Sequence, residues 1–420
     1  MYRSDFSLFP NIGTDGEYDF ISQTIKINKI SSADEFRVSS RVEDIKLLVH
    51  EITHYRDNVS SLRGIDLLVL NYNAIHSRES NDTELFFNIK KLYKEILRMK
   101  FSKYFTVINQ SRNDDVSNRW NYKITTGYRF DNDGRLDKKS PIMFINFYTN
   151  ANEFIARVPL SFESIVESRA MYNEFMIDMA HISSLNDEEQ IVERGLLQRY
   201  YEKLIYNTDV IVYYVNARFV ANVLGFSDIL QAFQFSSLIG FLCLNMPIEC
   251  YKKLRIPSIL QNEAKPYFIK NSDISFLFAC ITYNIQNFQN IHDQIINDNL
   301  IETILEKSNL PKISELKKLI VKEVNDRAKT QIDGKYKDRC DNHIEEYIKH
   351  IKNMNFSKDF SYFNNFRETY EMFMEKSDVA SLDVAPIIFG NDEDTKACEF
   401  YKSILSIERR MKEFSDACGI

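Results

Sequence analysis

The chain has 420 residues, 44% of them hydrophobic and 27% charged, with 11 Gly, 8 Pro and a formal net charge of −7. These values fit a folded globular protein of two or three domains and exclude long flexible or repetitive linkers. The acidic balance leaves no basic footprint for nucleic acid, and an aromatic fraction of 13% argues for packed cores rather than disorder.

Residues 1–40 read as loop and strand. Gly13-Thr14-Asp15-Gly16 is a turn signal, and Thr24 to Ile30 alternates like an edge strand. A helix is expected from about Ser40, because Val42, Ile45, Leu48, Val49, Ile52 and Tyr55 follow a 3.6-residue period. Residues 64–75 and 83–105 also carry helical patterns. The pattern then changes: residues 122–130, 141–148 and 154–158 read as strands, with Asp131-Asn132-Asp133-Gly134 as a turn. Helix resumes at Ser161 or Ser164 and runs to about His181. Further helices are expected over 187–206, 209–224, 227–245, 273–288, 312–330, 341–353 and 395–416, with Asn186, Thr208 and Ser227 as N-caps.

The most apolar stretch, Ile229 to Met246, contains Gln231, Gln234, Ser236, Ser237 and Asn245, so it reads as a buried helix rather than a membrane span. The N-terminus shows no basic segment followed by an apolar run, which points to a cytoplasmic protein with no membrane association. The six Cys at 243, 250, 280, 340, 398 and 418 form no C-x-x-C pair. A cysteine zinc ribbon is therefore excluded, and reduced, mostly buried thiols are expected. Lys317-Lys318 sits among acids, as on a solvated helix face. The expected architecture is α+β. A catalytic domain over 1–183 has a small mixed sheet, and a mainly α-helical region over 184–420 caps a cleft, selects substrate or binds a partner protein.

The residues that carry chemistry are His50-Glu51-Ile52-Thr53-His54. On a helix this H-E-x-x-H spacing puts both imidazoles on one face, one turn apart, where they can share a metal ion. Glu51 stands beside them, placed to take a proton from an attacking water and pass it to a leaving amine. The plain alternative is a chance match on a solvated helix. The apolar lead-in Leu47-Leu48-Val49 argues against it, because it would bury the helix, and two buried His and a Glu need partners or a metal. A di-iron carboxylate site needs a second E-x-x-H, and the chain has none.

A catalytic zinc takes three protein ligands and keeps one open position. The extension H-x-x-G-x-x-H fails, because Asp57 stands where Gly belongs and Ser60 where the third His belongs. That leaves a downstream carboxylate, with Glu79, Glu84, Glu163 and Glu167 as candidates. Glu163, Glu167 and Glu174 fall on one stripe of the helix from Phe162, so a solvated face is the ordinary reading of all three. An H-E-x-x-H helix, a β segment and a second helix with Glu167-Ser168-Arg169-Ala170 together resemble the gluzincin group of zinc metallopeptidases over about residues 40–180. The resemblance implies a zincin-like domain with Zn2+ on His50, His54 and Glu167. It also implies that Ala170 is small so that the two metal-binding helices can approach closely.

Asp57, one turn beyond His54, suits a carboxylate that orients a ligand imidazole, or equally a surface Asp beside Arg56. His76 and His181 are candidate transition-state donors, although a structural histidine is the simpler reading of each. His292, His343 and His350 show no ligand spacing. With 23 Tyr in the chain, no tyrosine donor stands out. The expected activity is zinc-dependent hydrolysis of a peptide or protein. The alternatives are an inactive regulator on the same fold, which an intact Glu51 disfavours, and a zinc hydrolase of a non-peptide substrate.

Overall fold

A computed structural model describes residues 15–39, 41–79, 87–99, 101, 103–109, 120–130, 134–288, 291, 294–331, 333–334, 337–361 and 386–390, with isolated positions between 402 and 417. The elements in chain order begin with strands β1 (Gly16–Asp19) and β2 (Thr24–Ile27). Helices α1 (Ala33–Ser39), α2 (Val42–Val59), α3 (Leu62–Glu79) and α4 (Phe87–Met99) follow. Then come β3 (Val107–Ile108), β4 (Asn121–Phe130), β5 (Leu136–Tyr148) and β6 (Phe154–Pro159). Helices α5 (Phe162–Ser183), α6 (Asp187–Ile205), α7 (Ile211–Leu224), α8 (Ile229–Leu244), α9 (Pro266–Lys270) and α10 (Ile274–Asn284) come next. The remainder is α11 (Asp298–Lys307), α12 (Ile313–Ala328), α13 (Lys337–Asn353), α14 (Phe356–Asp359) and β7 (Ile387–Phe389). The fold is mixed α and β, mainly helical, with two small sheets.

The described residues fall into two compact units. One is drawn from 1–99, 317–354 and 362–420, the other from 100–316 and 355–361. The expected division at 183/184 does not follow them: α5 lies in the same unit as α6, α7 and α8 because it packs against them.

In the first unit the sheet order is β1-β2-β7. β1 pairs antiparallel with β2, and β7 pairs parallel with β2 from Ile25↔Ile387 to Ile27↔Phe389. β2 is thus the central strand, not the edge strand its alternation suggested, and Ile25 and Ile27 are fully buried. Its parallel partner comes from more than 350 residues away, so no local signal announces it. β1 packs on α2. Asn58 Nδ2 donates to the Tyr18 hydroxyl at 2.7 Å, and the Tyr18 and Tyr55 rings meet edge to face, centroids 6.0 Å apart. At the start of α2, buried Asp44 pairs with Arg41 at 3.1 Å and Lys29 at 3.4 Å, where a carboxylate also favours the helix dipole. α2 turns sharply into α3 at Ser60-Ser61, and any side chain at Gly64 would run into the Asn58 carbonyl. α13 packs on α3. Arg327 Nε bonds Asp66 at 2.9 Å, and Asn73 Nδ2 donates to the Thr330 carbonyl at 3.2 Å.

In the second unit the sheet order is β3-β6-β5-β4, all pairs antiparallel. The β4–β5 hairpin has a bulge at Tyr128/Arg129, and the expected turn residues Asp131 to Asp133 lie outside the described residues. α5 begins with a reciprocal cap. Ser161 Oγ accepts from the Ser164 amide at 2.9 Å, and Ser164 Oγ accepts from the Ser161 amide at 3.0 Å. Both expected start residues therefore take part. α5 docks on α8 through Ser168 and Ser236, whose hydroxyls are 2.8 Å apart, and through Arg169 Nη1 donating to the Ser237 carbonyl at 2.8 Å. Gly240 lets α8 come this close, because a Cβ there would meet Ile165 at 3.0 Å and Arg169 at 3.2 Å. α6 is capped by Asn186, as expected, and α8 by Asp228 rather than Ser227. Asn207, rather than Thr208, caps the short 3-10 turn that leads into α7.

The apolar stretch Ile229 to Met246 is the buried helix α8 with its exit turn, and its residues from Phe235 to Leu244 are all buried. Among the described residues no single helix is long and apolar enough to cross a membrane. The expected helix over 395–416 lies largely outside the described residues.

Candidate metal centre

The H-E-x-x-H segment lies inside the 18-residue helix α2, whose apolar positions Leu48, Val49, Ile52, Tyr55 and Val59 are buried. Helical spacing sets the two imidazoles over one another: the His50 and His54 rings stand 4.7 Å apart, nearly perpendicular at 84°. His54 is 1% exposed and His50 is half-buried. On α5, Glu167 is fully buried, in a stretch from Phe162 to Asn173 that is buried throughout.

α2 thus presents two imidazoles on one face, and α5 presents a buried carboxylate at Glu167. Two neutral imidazoles and one carboxylate are the donor set for a divalent transition metal that keeps an open position. A carboxylate with no solvent contact costs several kcal/mol unless donors or a cation face it, so the burial of Glu167 fits the same reading.

Glu51 is 6% exposed, and its Oε1 lies 3.3 Å from where a Cβ on Gly16 would stand. The carboxylate therefore reaches the β1 backbone, and any larger residue at 16 would press on Glu51 and Leu47. Asp57 is buried one turn beyond His54, so the surface reading of that residue falls. Glu163 is buried one turn before Glu167, and half-buried Glu174 lies two turns after it. The side chain of Glu79 and all of Glu84 lie outside the described residues.

Tyr214 on α7 is a residue the sequence could not single out. It is 3% exposed, and its hydroxyl is held far above the usual range, first by burial and then by the charges of Glu174 and Glu167. Among the other histidines, the His76 ring fills the space a side chain at Gly334 would take, and His181 is exposed in the last turn of α5. His292 lies outside the described residues, and His350 is half-buried near the end of α13. His343 is buried with no hydrogen-bond partner at either ring nitrogen among the described residues. Burial, and then the Arg339 charge, pull its pKa down to about 4. Cys243, Cys250, Cys280 and Cys340 are buried and form no disulfide among the described residues. Burial raises the Cys340 thiol to about 12 and Cys280 higher still, which makes them inert packing groups. Compared with models of protein families, with curated proteins and with solved structures, the chain matches none.

Proposed function

We propose that this chain is a zinc-dependent hydrolase of peptide bonds, of gluzincin type, with the metal on His50, His54 and Glu167. The observation that carries the reading is the H-E-x-x-H face of the buried helix α2, where the His50 and His54 rings stand 4.7 Å apart with Glu51 next to His50 in the chain. A zinc ion held there supplies Lewis-acid chemistry, polarising a carbonyl and acidifying a water toward a pKa of about 7.

The residues of the chain do the rest. His50 and His54 come preset on one helical turn, so little ordering is left to the moment of binding. Glu51, next in sequence to His50, takes the proton from the attacking water and returns it to the leaving amine nitrogen, so no net proton is consumed at the residue. Its burial keeps competing water away. A peptide substrate is supported by β1: among the described residues its strand partner is β2, and its first residue, Gly16, lies against Glu51. An extended chain pairing beside such a strand would run past the proton carrier.

The test is metal analysis of the purified chain together with a proteomic cleavage assay. The wild type is expected to hold about one zinc per chain and to cleave peptides. The Glu51→Gln variant is expected to keep the zinc and lose turnover by a factor of at least ~100. A wild type purified without chelator that holds no transition metal would refute the reading. Full activity in Glu51→Gln would remove Glu51 from its role.

A further inference from the structure

We infer that α6 is a self-association surface, on which a second copy of this chain docks through an antiparallel α6–α6 pair. The inference does not depend on the metal centre. α6 has 19 residues, yet its fully buried positions are Tyr201 and Ile205, both near its C-terminal end. Val192, Leu196 and Tyr200, spaced one turn apart, form a stripe with 58%, 47% and 54% of their surface exposed, and Ile191 beside them is 75% exposed. Scattered exposed apolar residues are ordinary, but an aligned i, i+4, i+8 stripe is the seam of a helix pair. A side chain added at Gly195, beside the middle of the stripe, would meet nothing within 4 Å, so the approach of a second helix is unobstructed.

The charges decide what that helix is. The N-terminal half of α6 carries Asp187, Glu188, Glu189 and Glu193; the C-terminal half carries Arg194, Arg199 and Lys203 against one acid, Glu202. A parallel partner of the same sequence would set acid on acid. An antiparallel copy sets the acidic half of each helix on the basic half of the other and opposes the two helix dipoles. With the twofold axis at Leu196, Val192 meets the partner's Tyr200 and Leu196 meets the partner's Leu196. Glu189 then faces the partner's Lys203, both within about 20° of the seam at 100° per residue. The same patch serves both copies, as a closed twofold dimer requires. One helix pair buries less than the ~1,200 Å² of a standard interface, so the dimer is reversible and concentration-dependent.

Sedimentation velocity on the full chain over a concentration series tests this. The wild type is expected to shift from monomer to dimer as concentration rises, and Leu196→Glu to weaken the dimer at least about tenfold. Glu189→Lys should weaken it as well, by setting lysine against lysine, and adding Lys203→Glu should restore it. Circular dichroism checks that α6 stays helical. Glu189 also accepts from the Asn186 amide at its own helix start, and the double variant loses that bond equally, so its recovery reports the charge pairing. A wild type monomeric at every concentration overturns the inference. So does a dimer unmoved by Leu196→Glu, or a charge swap that fails to restore it.

Discussion

At the scale of single residues, burial decides more than pairing. Asp66 has Arg327 at 2.9 Å and Arg63 at 3.8 Å, yet its pKa rises to about 6, because burial outweighs both cations. His343 moves the other way, to about 4. The two act on stability with opposite signs. His343 has a folded pKa below its unfolded value, so its contribution is present above about pH 6.5 and is lost as pH falls through 4. Asp66 has a folded pKa above its unfolded value, so its charge is a penalty near neutrality that fades as pH falls through 6. Each shift is worth about 3 kcal/mol, and over pH 4–6.5 they largely cancel. Asp66→Asn is therefore expected to be more stable than the wild type near pH 7.5. That variant should then lose about 3 kcal/mol between pH 6.5 and 4, through His343 alone. Urea unfolding across this range checks both, and a variant with a level profile would show that His343 is not the group.

At the candidate centre the informative pair is Glu167 and Glu163. Glu167→Ala should abolish stoichiometric zinc, while Glu163→Ala should leave it, since the proposed centre takes Glu167 as its carboxylate. Metal analysis of the two variants decides this, and the reverse result would put the ligand one turn earlier on α5.

At the scale of elements, the ends of the two helices that carry the candidate ligands differ. α5 starts with a reciprocal serine cap, whereas α2 starts at Arg41 with no side-chain cap and relies on buried Asp44 and its two cations. Ser161→Ala should cost about 1 kcal/mol, read by thermal unfolding. The exit of α2 is far less forgiving. At Gly64 even a methyl group would overlap the Asn58 carbonyl, in a turn already closed by Ser61 Oγ donating to the Asp57 carbonyl at 2.5 Å. Gly64→Ala should cost several kcal/mol and, by moving the end of α2, reduce zinc content as well. A Gly64→Ala protein with wild-type stability would mean the α2–α3 turn is looser than this geometry implies.

At the scale of the molecule, the first unit is discontinuous in sequence: α13 returns to α3 after more than 200 residues. Ile351 on α13 is fully buried, so Ile351→Ala should cost about 2–5 kcal/mol. Hydrogen exchange should then show protection falling in α3 and α13 together. If α13 alone lost protection, the two would not be one cooperative unit.

The sequence by itself determined what is local. It gave the helix around His50 and His54, because the apolar period and the H-E-x-x-H spacing share one 3.6-residue repeat. It gave the β4–β5–β6 strands as strand-like runs beside a turn signal, the start of α5 through Ser161 and Ser164, and the burial of α8 through its composition. Glu167 was reachable only by likeness of motif, since its stripe also suits a solvated face. Tertiary structure alone decided that Glu167 is fully buried, that β2 is central, and that α13 belongs with α3. It also decided that the apolar stripe of α6 stays exposed. Each of these is set by contacts between residues far apart in the chain. Such contacts depend on how loops close and faces meet, and neither leaves a mark in the local order of residues.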